Sequence, residues 1–227
     1  MRHFMVWLCL MTPCLVVCGC SIRDASVPET LRKYRMVSHP TPRGFDVCDR
    51  FGCRGSVGVS LTAKQWSQVR SLLAPAAESP STERRSIAQA VALLESFVGV
   101  QVGTSADVAK NDHAGAGQLD CVAESVNTSV YLFMLERDGL LRHHEVAPPT
   151  KRGTFIFYPH NTAVLLERAS GRAFAVDSWF RDNGLPPYVV PLKVWRSGWR
   201  PEDGTDGLDS EDDMARQLDS EEGHGVS

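Results

Sequence analysis

The sequence predicts an α+β fold in which helices come first and an antiparallel sheet follows. Three observations predict it. Between residues 62 and 137, apolar side chains recur at helical period in three stretches, each with a start or stop signal. Between residues 154 and 192 lie short runs rich in β-branched and aromatic residues. Ser170-Gly171 separates two of those runs and suits a hairpin turn, so neighbouring strands run antiparallel. No internal repeat is present.

The chain has 227 residues, and its two ends read differently from its middle. Residues 1–19 have a basic start at Arg2 and an apolar core, and are expected to be an export signal rather than a membrane span. Val17-Cys18-Gly19-Cys20 resembles a bacterial lipobox. That resemblance implies cleavage before Cys20 and lipid attachment to its sulfur, hence anchoring in the cell envelope, facing the periplasm, at the outer membrane. Ser21 stands where an aspartate would suggest inner-membrane retention. An ordinary signal cut nearby, or an uncleaved anchor, is the other reading.

Residues 20–43 are polar with prolines at 28, 40 and 42, and are expected to be a spacer with an irregular lead-in. The segment 44–200 fits one domain, large enough to bury a core. Residues 201–227 hold ten acids, one arginine and no aromatics, and are expected to form a disordered acidic tail. That tail carries −9 of charge, so the net −3 hides an excess of about +6 elsewhere. The basic residues form no stripe interleaved with aromatics, which argues against a nucleic-acid partner.

Within the domain, "SVGVSL" (56–61) alternates weakly as a strand. Thr62, with Gln65 three positions on, opens a helix whose stripe is Trp66, Val69, Leu72 and Leu73, and Pro75 ends it. Ser79 and Pro80 open a second helix, with Ile87, Val91, Leu94 and Val98 on one face and Gly99 as its stop. A glycine-rich loop leads to a third helix, from Asp120-Cys121 to about Arg137. Glu124, Ser125 and Thr128, one or two turns on, give a polar edge that suits either packing or a site. "TFIFYP" (154–159), "TAVLLER" (162–168), "RAFAVDSWF" (172–180) and a run near 188–192 read as strands.

Seven cysteines reduce under an export reading. Three leave with the signal and Cys20 is acylated. Cys48 and Cys53 suit a disulfide across "CDRFGC", where Gly52 permits a tight turn. Cys121 is then the odd thiol: either reactive or a small buried hydrophobe. A redox role for Cys48 and Cys53 is disfavoured, because four residues separate them where the redox motif has two.

A helix opening at Cys121 sets the positive end of its dipole beside the sulfur and favours thiolate. Its first N–H groups can hold an oxyanion. His160 opens one strand and Asp177 closes the next, ten residues before and seven after the turn. They are expected to be cross-strand neighbours, with the carboxylate fixing the imidazole tautomer. Asn161 lies on the opposite face of its strand, which favours Asp177 over it as orienting group. Trp179 either shields the His–Asp pair from water or packs in the core. His143, His144 and His113 lack ligand spacing for a metal and read as solvated loop. No cofactor is called for.

A Cys at a helix start, then His and Asp on successive strands, resembles the transglutaminase-like branch of the papain-like cysteine peptidase superfamily. "LDC" is similar to the family's "GDC", and "PHNTAVLL" and "AVDSW" to its His and Asp strands. The likeness covers about residues 87–195. It implies a papain-like α+β core with Cys121 as nucleophile, His160 as general base and acid, and Asp177 as orienting carboxylate. It implies a thiol-dependent amide hydrolase or acyltransferase acting on a peptide or protein in the envelope; an inactive binding module on the same fold is the alternative. Leu119 replaces the family's glycine. Gln118 stands where a side-chain amide can donate to the oxyanion, or as a solvent-facing loop residue. "CDRFGC" is not part of the family pattern.

Overall fold

A computed structural model describes residues 26–74, 77–154 and 157–201. The export signal, the Cys20 lipid site and residues 202–227 of the acidic tail lie outside the described residues. The described chain is mixed helix and sheet, with antiparallel strands in a sheet of two and a sheet of four.

Helix α1 (Val27–Lys33) lies within the stretch expected as spacer. Ser26 and Glu29 form a capping box, Pro28 sits in the first turn, and Val27 and Leu31, four apart, are buried in the main core. The prolines and polar residues around it masked this short pattern. Strands β1 (Phe45–Cys48) and β2 (Ser56–Val59) form the small sheet, from Phe45↔Val59 to Cys48↔Ser56. The link between them includes a 3-10 turn at Phe51–Cys53. Gly52 has φ 65°, a conformation without penalty only for glycine, and a disulfide joins Cys48 to Cys53.

Helix α2 (Ala63–Leu73) has the expected Thr62/Gln65 capping box. Helix α3 (Pro80–Val102) starts at the Ser79 cap but runs through Gly99 to a left-handed cap at Gly103. Gly99 is not a stop. A Cβ there would come within 3.1 Å of the Asn183 amide and the Ser105 backbone, so the glycine allows close approach of two loops. Helix α4 (Cys121–Arg137) begins at the cysteine itself.

Strand β3 (His144–Thr154) is an addition to the expected set, because Pro148 and Pro149 obscured it. It is the edge of the sheet, where prolines are tolerated, and its pairing with β4 (Phe157–Glu167) shifts register between Ala147 and Thr150. Strand β4 unites two runs expected as separate. Strands β5 (Ala173–Asp177) and β6 (Tyr188–Pro191) follow, in the order β3-β4-β5-β6. Helix α5 (Leu192–Arg196) closes the described chain.

Alternation along the strands feeds two cores. Ala163, Leu165, Phe174, Val176 and Val189 face the main core with α3 and α4. Val164, Ala175, Tyr188 and Val190 face a smaller one with Phe180, Leu192 and Trp195. At about 25 cal/mol per Å² of apolar surface, each fully buried large side chain contributes roughly 1.5–3 kcal/mol, so both faces of the sheet are well anchored.

His144, expected in a solvated loop, is fully buried. Its Nδ1 lies 2.7 Å from Glu83 Oε2 and its Nε2 3.3 Å from Arg84 Nη1. Arg84 also bonds Glu167 at 2.9 Å and stacks 3.9 Å over the Phe174 ring. Glu83 accepts the backbone N–H groups of Arg142 and His143 as well. This charged network pins the start of α3 to the sheet. Among the described residues, no group of three or more His, Cys, Asp or Glu side chains is arranged to hold a metal ion, and no helix is long and apolar enough to cross a membrane.

Candidate active site

Cys121 is the first residue of α4. The carboxylate of Asp120 caps that helix, accepting from Ala123 N–H at 2.9 Å. The sulfur therefore sits at the end of the helix where backbone donors gather. It is half-buried, and it is the free cysteine among the described residues.

His160 lies on β4 and is 5 % exposed; Asp177 ends β5 and is 1 % exposed. Nε2 of the imidazole and Oδ2 of Asp177 are 2.7 Å apart. The ladder pairs Ala163 with Val176, so one further step would set Asp177 opposite Thr162. The contact is thus diagonal across the strands, a span an imidazole can cover. The indole Nε1 of Trp195 donates to the same Oδ2 at 2.7 Å. The Cys121 thiol lies near enough to the ring to favour the charged imidazole, while Nε2 serves the carboxylate.

Burial alone would push the imidazole towards its neutral form. The hydrogen bond and charge of Asp177, followed by those of Cys121, outweigh that and raise its pKa to about 9. Trp179, Phe180 and Trp195 ring the imidazole, at 4.9, 5.0 and 5.5 Å between centroids. Trp179 therefore shields His160 directly, while Trp195 covers Asp177.

Asn161 is on the face of β4 that carries Ala163 and Leu165 towards α4. Its Nδ2 lies 3.6 Å from the Cys121 sulfur. The alternation that separates Asn161 from the His–Asp pair leads it to the thiol instead, a contact the sequence reading missed. Gln118 is not among the cleft-lining residues. Its amide nitrogen donates to the Ala106 carbonyl, and its oxygen accepts from Val108 N–H and the Asn111 amide.

The polar edge of α4 is packing. The Glu124 carboxyl is buried and hydrogen-bonded to Asp107, with desolvation and then the charge of Glu95 holding its pKa well above the usual range. Thr128 Oγ1 meets Ser178 Oγ at 2.9 Å, tying α4 to the segment after Asp177, and Ser125 returns to Val122 carbonyl.

The sulfur and the imidazole open into a cleft of about 590 Å³. Phe51, carried by the disulfide-bonded turn, forms part of its wall, so "CDRFGC" shapes the site even though no family motif predicts it. Arg152 also lines the cleft, its guanidinium stacked 4.5 Å over the Trp195 ring and donating to the Trp195 carbonyl. Asn161 was weighed from sequence only as an orienting amide, and Arg152, Phe180 and Trp195 were not singled out. Arg and Asn carry no positional signal, and the aromatics read equally well as core.

Comparison with protein-family models, with curated proteins and with solved structures returns no match to this chain.

Proposed function

We propose that this chain is an exported, lipid-anchored thiol hydrolase or acyltransferase of transglutaminase-like type, with a papain-like core. Its substrate is an amide in a peptide or protein of the cell envelope. The observation that supports this most is the imidazole of His160, bonded to Asp177 at 2.7 Å and lining one open cleft with Cys121.

In the proposed reaction, Cys121 sulfur attacks the amide carbonyl carbon. The oxygen takes up the negative charge beside the first N–H groups of α4. The C–N bond then breaks, the imidazolium of His160 gives its proton to the leaving amine, and a thioester remains. Water, or a second amine, loses a proton to His160 as it attacks the thioester, and the sulfur leaves. Asp177 balances the imidazolium throughout. Hydrolysis is preferred over transfer because water needs no second binding site.

The test is peptide hydrolysis and active-site alkylation by the wild-type chain against Cys121→Ala. Unchanged turnover in that variant would sink the proposal. A second reading, a non-catalytic binding module, is favoured by the engagement of the Gln118 amide in its own loop. Rapid alkylation of Cys121 at neutral pH argues for the enzyme, and near-inertness for the module.

A further inference from the structure

The walls of the cleft are cationic near the thiol. Arg152, Arg196 and Arg200 line it, against Asp112 and Asp120. Asp120 is committed to capping α4, and Asp112 is exposed. Arg152 is held in place: half-buried, stacked on Trp195 and tethered to the Trp195 carbonyl. Among the described residues no carboxylate forms an ion pair with Arg152 or Arg196; Arg196 bonds the Thr150 hydroxyl at 3.2 Å. Desolvation depresses the Arg152 pKa; the charge of buried Asp177 opposes that, the nearby Arg200 charge adds to it, and Cys121 opposes it. Arg152 and Arg196, which form no ion pair among the described residues, are stabilised by an anion bound in the cleft, and a guanidinium fork is well matched to a carboxylate.

We infer that the cleft selects substrates carrying a carboxylate close to the scissile amide, bound by Arg152 with Arg196 at the rim. This rests on the hydrolase reading of the same site and narrows its substrate class. The carboxylate comes either from an acidic side chain or from a chain terminus. Arg152 is where the anion is recognised, and its charge lies near enough to interact with Cys121, so the carboxylate sits within a residue or two of the amide attacked.

The experiment uses the full chain and matched peptides in which a single glutamate next to the scissile bond is replaced by glutamine. A second pair differs only in a free or an amidated C-terminus. Each peptide is also made with a thiol-reactive electrophile in place of the scissile amide, and Cys121 adducts are followed by mass spectrometry. The expected result is a preference of about tenfold or more in kcat/KM and in labelling rate for one carboxylate-bearing member. Which pair shows it identifies the source of the carboxylate. The ratio should fall in Arg152→Gln, partly return in Arg152→Lys, and shrink as salt is raised. Arg196→Gln, on the exposed rim, gives a smaller fall and covers the case in which the Arg152 variant fails to fold.

Hydrolysis with equal rates for acidic and neutral peptides keeps the hydrolase and overturns the subsite. Selective labelling by the acidic probe without any turnover keeps the subsite and removes the hydrolase. Failure of both probes to label Cys121 overturns both.

Discussion

Two buried imidazole–carboxylate pairs occupy different parts of the same sheet. His144 meets Glu83, and His160 meets Asp177, each at 2.7 Å. By that measure they are equal. They differ in what the second nitrogen finds. For His144 it is the guanidinium of Arg84, in a closed network with Glu167. His160 instead shares an open cleft with a thiol at a helix start. A histidine paired with a carboxylate is therefore no mark of chemistry on its own; a nucleophile and room for a substrate on the other side make it one.

The sharpest way to break this contrast is to remove each pair in turn. His160→Ala is expected to lower amide hydrolysis by about 10³-fold or more, measured as kcat/KM. Glu83→Ala should instead cost about 3–5 kcal/mol in denaturant unfolding, because it strands a buried histidine and two backbone donors. At a temperature where that variant stays folded, Cys121 alkylation should match wild type. Equal losses of activity from both changes would erase the distinction. Asp177→Asn keeps the shape of the site but not its charge, and a fall of about 10²–10⁴ in kcat is expected.

The pH dependence sharpens the contrast further. With the imidazole pKa raised to about 9, the acid of the proposed reaction persists through neutrality. Turnover should decline as pH passes about 9, and a profile falling near 6.5 would contradict the geometry.

A smaller effect concerns stability. Glu83 and Glu167 have lowered pKa values; their contribution is present above about 4.5 and is lost as pH falls through their folded values. Burial raises Glu95 to about 7 and holds Glu124 well above an ordinary carboxyl; the stability from their protonated forms is complete below about 4.5 and is lost as pH rises, for Glu95 through about 7. The raised His160 value acts in the same direction, its contribution being complete below 6.5 and gone above about 9. The melting temperature should thus peak near pH 4.5 and fall above it, and Glu124→Gln should flatten that alkaline decline.

Much of this was legible in the sequence because the signals were local. Capping residues located the starts of α2 and α3, the end of the glycine-rich loop that of α4, and the Ser170-Gly171 turn set β4 against β5. The same turn anticipated His160 beside Asp177, and the start of α4 anticipated the exposed end that holds Cys121. What escaped was either masked or non-local. Prolines hid β3, which tolerates them as an edge strand, and a polar context hid α1. Gly99 looked like a terminator because its role, letting Asn183 and Ser105 approach, depends on residues far along the chain or in a loop of no regular pattern. Trp195 and Arg152 reach the site only through the packing of α5 on the sheet, and Asn161 through the docking of α4; nothing in their own sequence neighbourhoods announces this.

The indole bond from Trp195 to Asp177 has a consequence for the order in which the protein becomes competent. The thiol is 74 residues nearer the N-terminus than that indole, so a chain emerging from the ribosome or threading an export channel displays the sulfur long before its carboxylate is roofed. A polypeptide interrupted between residues 121 and 195 carries the thiol, and beyond residue 177 the histidine and the acid too, yet lacks the donor that shares the load on the acid. Maturation of the centre is thereby tied to delivery of nearly the whole folded domain.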